Sequence, residues 1–146
     1  MIPSSGRILA LDWGEVRIGL AASDEGQVLA SPLETLTRRA GKRFPMPRFL
    51  ELVAASAPVG IIVGLPLALD GSEGANAKAA RELAELVGRR TALPVELVDE
   101  RYTTVTALDA IREVGGSTRG RKGDVDALAA SVLLQGYLDM RRKSRS

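Results

Sequence analysis

The chain has 146 residues, of which 45% are hydrophobic and only 3% aromatic, with a net charge of +2 and neither cysteine nor histidine. That length suits one domain, residues 1–146, with an aliphatic, alanine-rich core. The two missing residue types exclude disulfides, thiol catalysis, zinc–thiolate and imidazole metal sites, and Ser/His or Cys/His nucleophilic pairs. Any catalysis has to run on carboxylates, lysine, hydroxyls or a hard metal ion held by oxygen. No run approaches the roughly 18 apolar residues of a membrane span. The opening MIPSSGR lacks the layout of a secretory signal, so a cytoplasmic protein is expected.

The small net charge is unevenly placed. Residues 1–36 carry two basic and five acidic side chains, whereas TRRAGKRFPMPR, residues 37–48, carries five basic and none acidic. From Arg119 onward there are seven basic residues against three acids. Two basic patches around an acidic centre suit a polyanion. Residues 141–146 are expected to be a frayed, solvated basic tail.

The chain opens with two apolar runs, Ile8–Leu11 and Ile18–Ala22, joined by a glycine-bearing turn, which predict a hairpin. Asp12 closes the first run, where an acid is costly unless it is hydrogen-bonded, paired or bound to a cation. Val28–Thr35 predicts a third strand, with Pro32 marking an edge or a break. Residues 37–48 read as a loop or helix entry, and a short helix from Phe49 ends before Pro58. Val59–Gly64 predicts a strand buried on both faces. Asp70 and Glu73 have capping-box spacing, ahead of a helix over Ala75–Arg90. Val95–Asp99 predicts a strand, followed by a helix over Val105–Val114 capped by Thr103 or Thr104. Gly115–Gly123 is glycine-rich, basic and expected to be mobile. Asp124 can cap a last helix from Val125 to about Arg141, with Val125, Leu128, Ala129, Val132 and Leu133 on its apolar side.

A meander feeding βαβ units predicts an α/β protein with one mixed sheet, an antiparallel meander plus parallel strands, flanked by helices. Right-handed crossovers place the Val59–Gly64 and Val95–Asp99 strands beside the first strand, and their ends open on one crevice. Asp12, one of Asp99 and Glu100, and the first turn of the last helix with Asp124 and Asp126 then converge. Clustered acids repel one another and raise their own pKa values, and a pair of divalent cations removes the conflict. Without His or Cys the ions are expected to be Mg²⁺ or Mn²⁺. Two of them about 4 Å apart clamp the attacking water and leaving oxygen of a phosphodiester. Each acid also has a plain structural use: Asp12 capping a turn, Asp99 and Glu100 opening a loop, Asp124 and Asp126 complementing a helix N-terminus.

Four ordered motifs carry a resemblance. Asp12-Trp13-Gly14, Arg17-Ile18-Gly19 and Ser23-Asp24 resemble the first motif of the YqgF/RuvX family. Gly64-Leu65-Pro66-Leu67 with Asp70-Gly71-Ser72-Glu73-Gly74 resembles its second, and Asp99-Glu100-Arg101-Tyr102-Thr103-Thr104 its third. Lys122-Gly123-Asp124-Val125-Asp126, with Ala129-Ala130 and Leu133-Leu134-Gln135, resembles its fourth. The match runs from about Ile8 to Asp139. Trp13 departs from the pattern, standing where Phe, Tyr or Val is expected.

The resemblance implies an RNase H-like fold with a five-stranded sheet, and metal-dependent phosphodiester hydrolysis. It favours Asp12, Glu100 and Asp126 as the catalytic and metal-binding set, with Asp124 second. Arg17, Arg101 and Lys122 lie in matched motifs and suit phosphates, or else pair with nearby acids. Arg119 and Arg121 in the glycine-rich loop, and the segment Arg38–Arg48, would track a nucleic-acid backbone. The implied substrate is pre-16S rRNA, met in ribosomal precursor particles, with a four-way DNA junction as the alternative. A junction cutter is expected to be a homodimer, and an RNA end-trimmer can be a monomer. Two other readings stand beside these. One is a non-catalytic ribosome-assembly factor. The other is an actin-like ATP site on Asp12-Trp13-Gly14 to Gly19, for which 146 residues leave no second lobe.

Overall fold

The computed structural model describes residues 1–14, 16–38, 44–66, 73–100 and 122–145. Strands β1 (Ile8–Asp12) and β2 (Arg17–Ser23) form the expected antiparallel hairpin. Strand β3 (Ala30–Thr37) continues the meander beside β2. It starts two residues later than the apolar pattern suggests, because Asp24 takes the intervening backbone into a turn. The Asp24 carboxylate accepts the N–H groups of Val28 and Leu29 at 2.7 and 3.0 Å. These bonds hold its carboxyl below the ordinary aspartate value. Pro32 sits on this edge strand, just past a register shift between Leu20 and Ala21.

Helix α1 (Met46–Ser56) begins earlier than Phe49, since Pro45 and Pro47 sit where a first turn needs no N–H donor. Strand β4 (Gly60–Leu65) is buried throughout and runs parallel to β1. Helix α2 (Ala75–Thr91) has Gly74 as its N-cap and no side-chain cap. Glu73 thus precedes the cap rather than standing three residues into the helix as a capping box requires. Glu73 instead receives two hydrogen bonds from Arg81, at 2.6 and 2.9 Å, and Asp70 lies outside the described residues. Strand β5 (Val95–Asp99) is parallel to β4. Helix α3 (Lys122–Arg145) starts three residues before the expected position. Asp124 is thus inside the helix rather than at its cap. The Val105–Val114 helix, its Thr103/Thr104 cap and most of the Gly115–Gly123 loop lie outside the described residues.

The sheet order is β3-β2-β1-β4-β5. The strand Val95–Asp99 is therefore one removed from β1, against expectation. The hairpin already fills one edge of β1 and β4 takes the other, so β5 can only add outside β4.

Alternation along the strands separates two cores. Leu9, Leu11, Ile18, Leu20, Ile61 and Val63 face α1 and α2, meeting Phe49, Leu83 and Val87. Ile8, Ala10, Ala21 and Ile62 face α3, meeting Ala130, Leu133, Leu134 and Leu138. The expected stripe on α3 holds in part: Ala129 and Leu133 are buried and Val125 and Val132 half-buried, but Leu128 is 38% exposed, and Ala127, Ala130, Leu134 and Leu138 extend the buried side.

Polar side chains fasten α3 in place. Gln135 donates to the Val28 carbonyl and accepts the Ala30 N–H, both at 2.9 Å, holding the start of β3. The Tyr137 hydroxyl donates to Glu96 at 2.5 Å, and burial, with that carboxylate second, pushes the phenol above its ordinary value. Fully buried Gln27 donates to the Pro3 and Gly6 carbonyls and accepts from Arg141. Arg141 also donates to the Ile2 carbonyl at 2.8 Å. The basic end is helical through Arg145, with Arg141 docked and residues 142–144 exposed.

Candidate active site

Asp12 is the last residue of β1, and alternation with Ile8 and Ala10 turns it toward α3. Its cross-strand partner is Gly19. A Cβ at Gly19 would stand 2.0 Å from the carbonyl oxygen of Asp126. The first turns of α3 therefore lie directly on the β2 backbone beside Asp12, which only glycine permits.

A second glycine does the same for Glu100. β4 separates β5 from β1, so the Glu100 side chain has to reach across it to approach Asp12. Gly64 provides the room: a Cβ there would meet Glu100 Oε1 at 2.7 Å and the Leu133 side chain at 2.9 Å. Gly64 stands one position past the last β1–β4 pair, Leu11 with Val63. The carboxylate thus points over β4 on the side shared by Asp12 and α3. Its Oε1 is buried and has no hydrogen-bond partner among the described residues. A buried carboxylate oxygen left unpaired is costly, and a cation is one of the few partners that relieves it.

Asp126 is held by Arg17, whose Nε donates to Oδ2 at 2.7 Å. The pair is 38% and 32% exposed, open enough for solvent to exchange with it. The structure thus shows Arg17 as an ion-pair partner of a site acid. Among the described residues no three acids form a group that would hold a metal ion. Asp12, Glu100 and Asp126 are brought to one end of the sheet, with Asp126 turned to Arg17. Asp99 ends β5 in register with Leu65.

The other expected binding residues divide. Arg101, Arg119 and Arg121 lie outside the described residues, as do the side chains of Lys122 and Asp124. Arg48 is exposed, but its guanidinium is engaged by carboxylates. It donates to Glu34 at 2.6 and 2.8 Å and to Glu51 at 2.9 Å, and these carboxylates raise its pKa further. Arg38 lies over the Trp13 ring, 4.5 Å from its centroid. Gly19 and Gly64 escaped the sequence reading as site residues. The available signal was a glycine in each otherwise apolar strand, which marks a close approach.

The RuvX family model, described as a Holliday junction resolvase, matches residues 6–140. The chain belongs to the RuvX family. This RuvX-family chain is 42% identical over 145 residues to a protein of Mycobacteroides abscessus, covering 99% of this chain and 87% of that one. It is 46% identical over 141 residues to a protein of Anaeromyxobacter sp., covering 92% and 98%. Both relatives are named for pre-16S rRNA nuclease activity. Among solved structures, RuvC of T. thermophilus in complex with a Holliday junction substrate is similar, with TM-score 0.59 at 16% identity over 92% of this chain and 96% of that one. The yeast mitochondrial Holliday junction resolvase Ydc2 gives TM-score 0.56 at 11% identity, over 99% and 82%. At these identities the likeness is one of fold, and this RuvX-family fold is RNase H-like.

Proposed function

We propose that this RuvX-family chain is a metal-dependent nuclease that hydrolyses phosphodiester bonds and trims the 5′ end of pre-16S rRNA. The observation that carries the reading is the unpartnered Glu100 carboxylate oxygen laid over Gly64, on the side of the sheet where Asp12 and α3 meet. The names of relatives covering nearly the whole chain supply the substrate. A substrate met in ribosomal precursor particles implies a cytoplasmic site of action. Among the described residues no helix is long and apolar enough to cross a membrane.

Asp12, Glu100 and Asp126 are the residues that would hold Mg²⁺ or Mn²⁺, two ions being the expected number. The donor set is all oxygen, as those ions prefer. Bound there, divalent ions supply an acidic water and charge neutralisation for a departing 3′-oxygen. Asp12 ends β1 between the two approaches, with Glu100 laid over Gly64 of β4 and the Asp126 backbone against Gly19 of β2. Arg17 holds Asp126 in place and stands ready for a phosphate.

The second reading is a Holliday-junction endonuclease, favoured by the description of the matching family model. Cleavage of precursor rRNA and of a four-way DNA junction, each in Mg²⁺ and in Mn²⁺, separates the two. Asp12→Asn is expected to reduce cleavage to background while circular dichroism stays unchanged. A mutant that cuts as well as wild type overturns the metal-site reading. No cleavage of either substrate by wild type leaves a binding factor for ribosome assembly. Solution mass gives the companion result, since cutting two opposed strands needs a symmetric pair.

A further inference from the structure

On the other face of the same sheet end is an open pocket of about 250 Å³, lined in part by Trp13, Arg38, Phe44, Glu82, Leu83 and Leu86. Trp13 is the one tryptophan of the chain and the residue that departs from the family pattern. It directly follows Asp12, so the two Cα atoms are about 3.8 Å apart. Asp12 turns toward α3, while Trp13 packs with the α1/α2 core. The end of one strand is all that separates the pocket from the acidic site.

We propose that this pocket receives one unstacked base of the nucleic acid whose backbone is held at the acidic site, an inference that rests on the nuclease reading. Three features fit a base. The Arg38 guanidinium lies over the Trp13 ring, and stacked guanidinium and indole planes are surfaces on which bases stack. The Trp13 Nε1–H, on a residue that lines the pocket, has no acceptor among the described residues, and a base brings acceptors to that wall. Phe44 is set edge-to-face on Phe49, with centroids 5.3 Å apart, which fixes one apolar wall. The strand's backbone crosses the end of β1 and its neighbouring base turns over into the pocket. A base inside a duplex cannot do this, so the pocket selects substrates with an unpaired nucleotide beside the scissile bond.

The single tryptophan makes the test direct. Wild-type protein in EDTA, where cleavage is blocked, is titrated with a labelled single-stranded oligonucleotide and with an abasic strand of the same length. Label anisotropy reports binding, and Trp13 emission reports the pocket. The base-containing strand is expected to quench Trp13, and the abasic strand to bind about tenfold more weakly without quenching. Arg38→Ala, outside the core, is expected to reduce the quenching and to narrow the difference between the strands. Trp13→Phe, which keeps a stacking ring, is expected to bind more tightly than Trp13→Ala. Equal quenching by both strands, or binding without quenching, overturns the pocket. Absence of binding overturns the pocket and the nuclease reading together. Base-dependent quenching by a protein that cleaves nothing overturns only the nuclease reading, and cleavage without base-dependent quenching overturns only the pocket.

Discussion

The two faces of the sheet are built on opposite rules. Toward α1 and α2 the strands present large aliphatic side chains, and Phe49, Leu83 and Val87 fill the space between. Toward α3, Ile8 and Ile62 stand among Ala10, Gly19, Ala21, Gly60 and Gly64, so that a helix backbone and a carboxylate come close to the strands themselves. The first face gains stability from side-chain volume. The second gives up volume to gain proximity, and the unpaired Glu100 oxygen and the Arg17–Asp126 pair both lie there.

The sharpest test of that contrast is Glu100→Gln. Cleavage is expected to fall to background while the melting temperature stays at or above that of wild type, because a buried charge without a partner is removed. A large drop in melting temperature would make Glu100 structural. Phe49→Ala on the opposite face is expected to cost about 3–5 kcal/mol in denaturant unfolding. Activity per folded molecule should fall far less than in Glu100→Gln. Gly19→Ala tests proximity itself. Its Cβ has to displace the Asp126 carbonyl, at an expected cost of about 1–3 kcal/mol. Cleavage should fall by more than the unfolded fraction explains.

The smallest effect is in acid. Arg48 holds the Glu34 carboxyl below its ordinary value of 4.5. The unfolded chain therefore binds the proton first, so this pair's contribution is present above about that pH and is lost as pH falls through the lowered folded value. Glu34→Gln should flatten the acid limb of a melting-temperature profile by a few degrees at most, and leave cleavage alone.

Much of this arrangement could be read from residue order. Asp12 was legible because an acid ending an apolar strand is conspicuous, and Gly60–Leu65 because six apolar or glycine residues admit few other readings. The sheet order was not, since nothing local in Val95–Asp99 says which edge remains open when it arrives. The face of α3 was only half legible: Ala129 and Leu133 are buried as expected, but alanines at 127 and 130 carry little hydrophobic signal although they too are buried. Glycines 19 and 64 stayed silent for a related reason. What a missing side chain makes room for is visible only once the opposing group is in place.

The Arg17–Asp126 contact spans 109 positions of sequence. The acidic site is drawn from β1, the end of β5 and the start of α3, elements laid down at widely separated times during synthesis. Closing so long a loop is entropically slow and has to await the docking of α3. A nascent chain that stops short of Lys122 already carries Asp12 and Glu100 but has no third acid and no partner for Arg17. On the proposed reading the acidic set is complete only once α3 has docked on β2, a dependence set by chain order rather than by any regulatory residue.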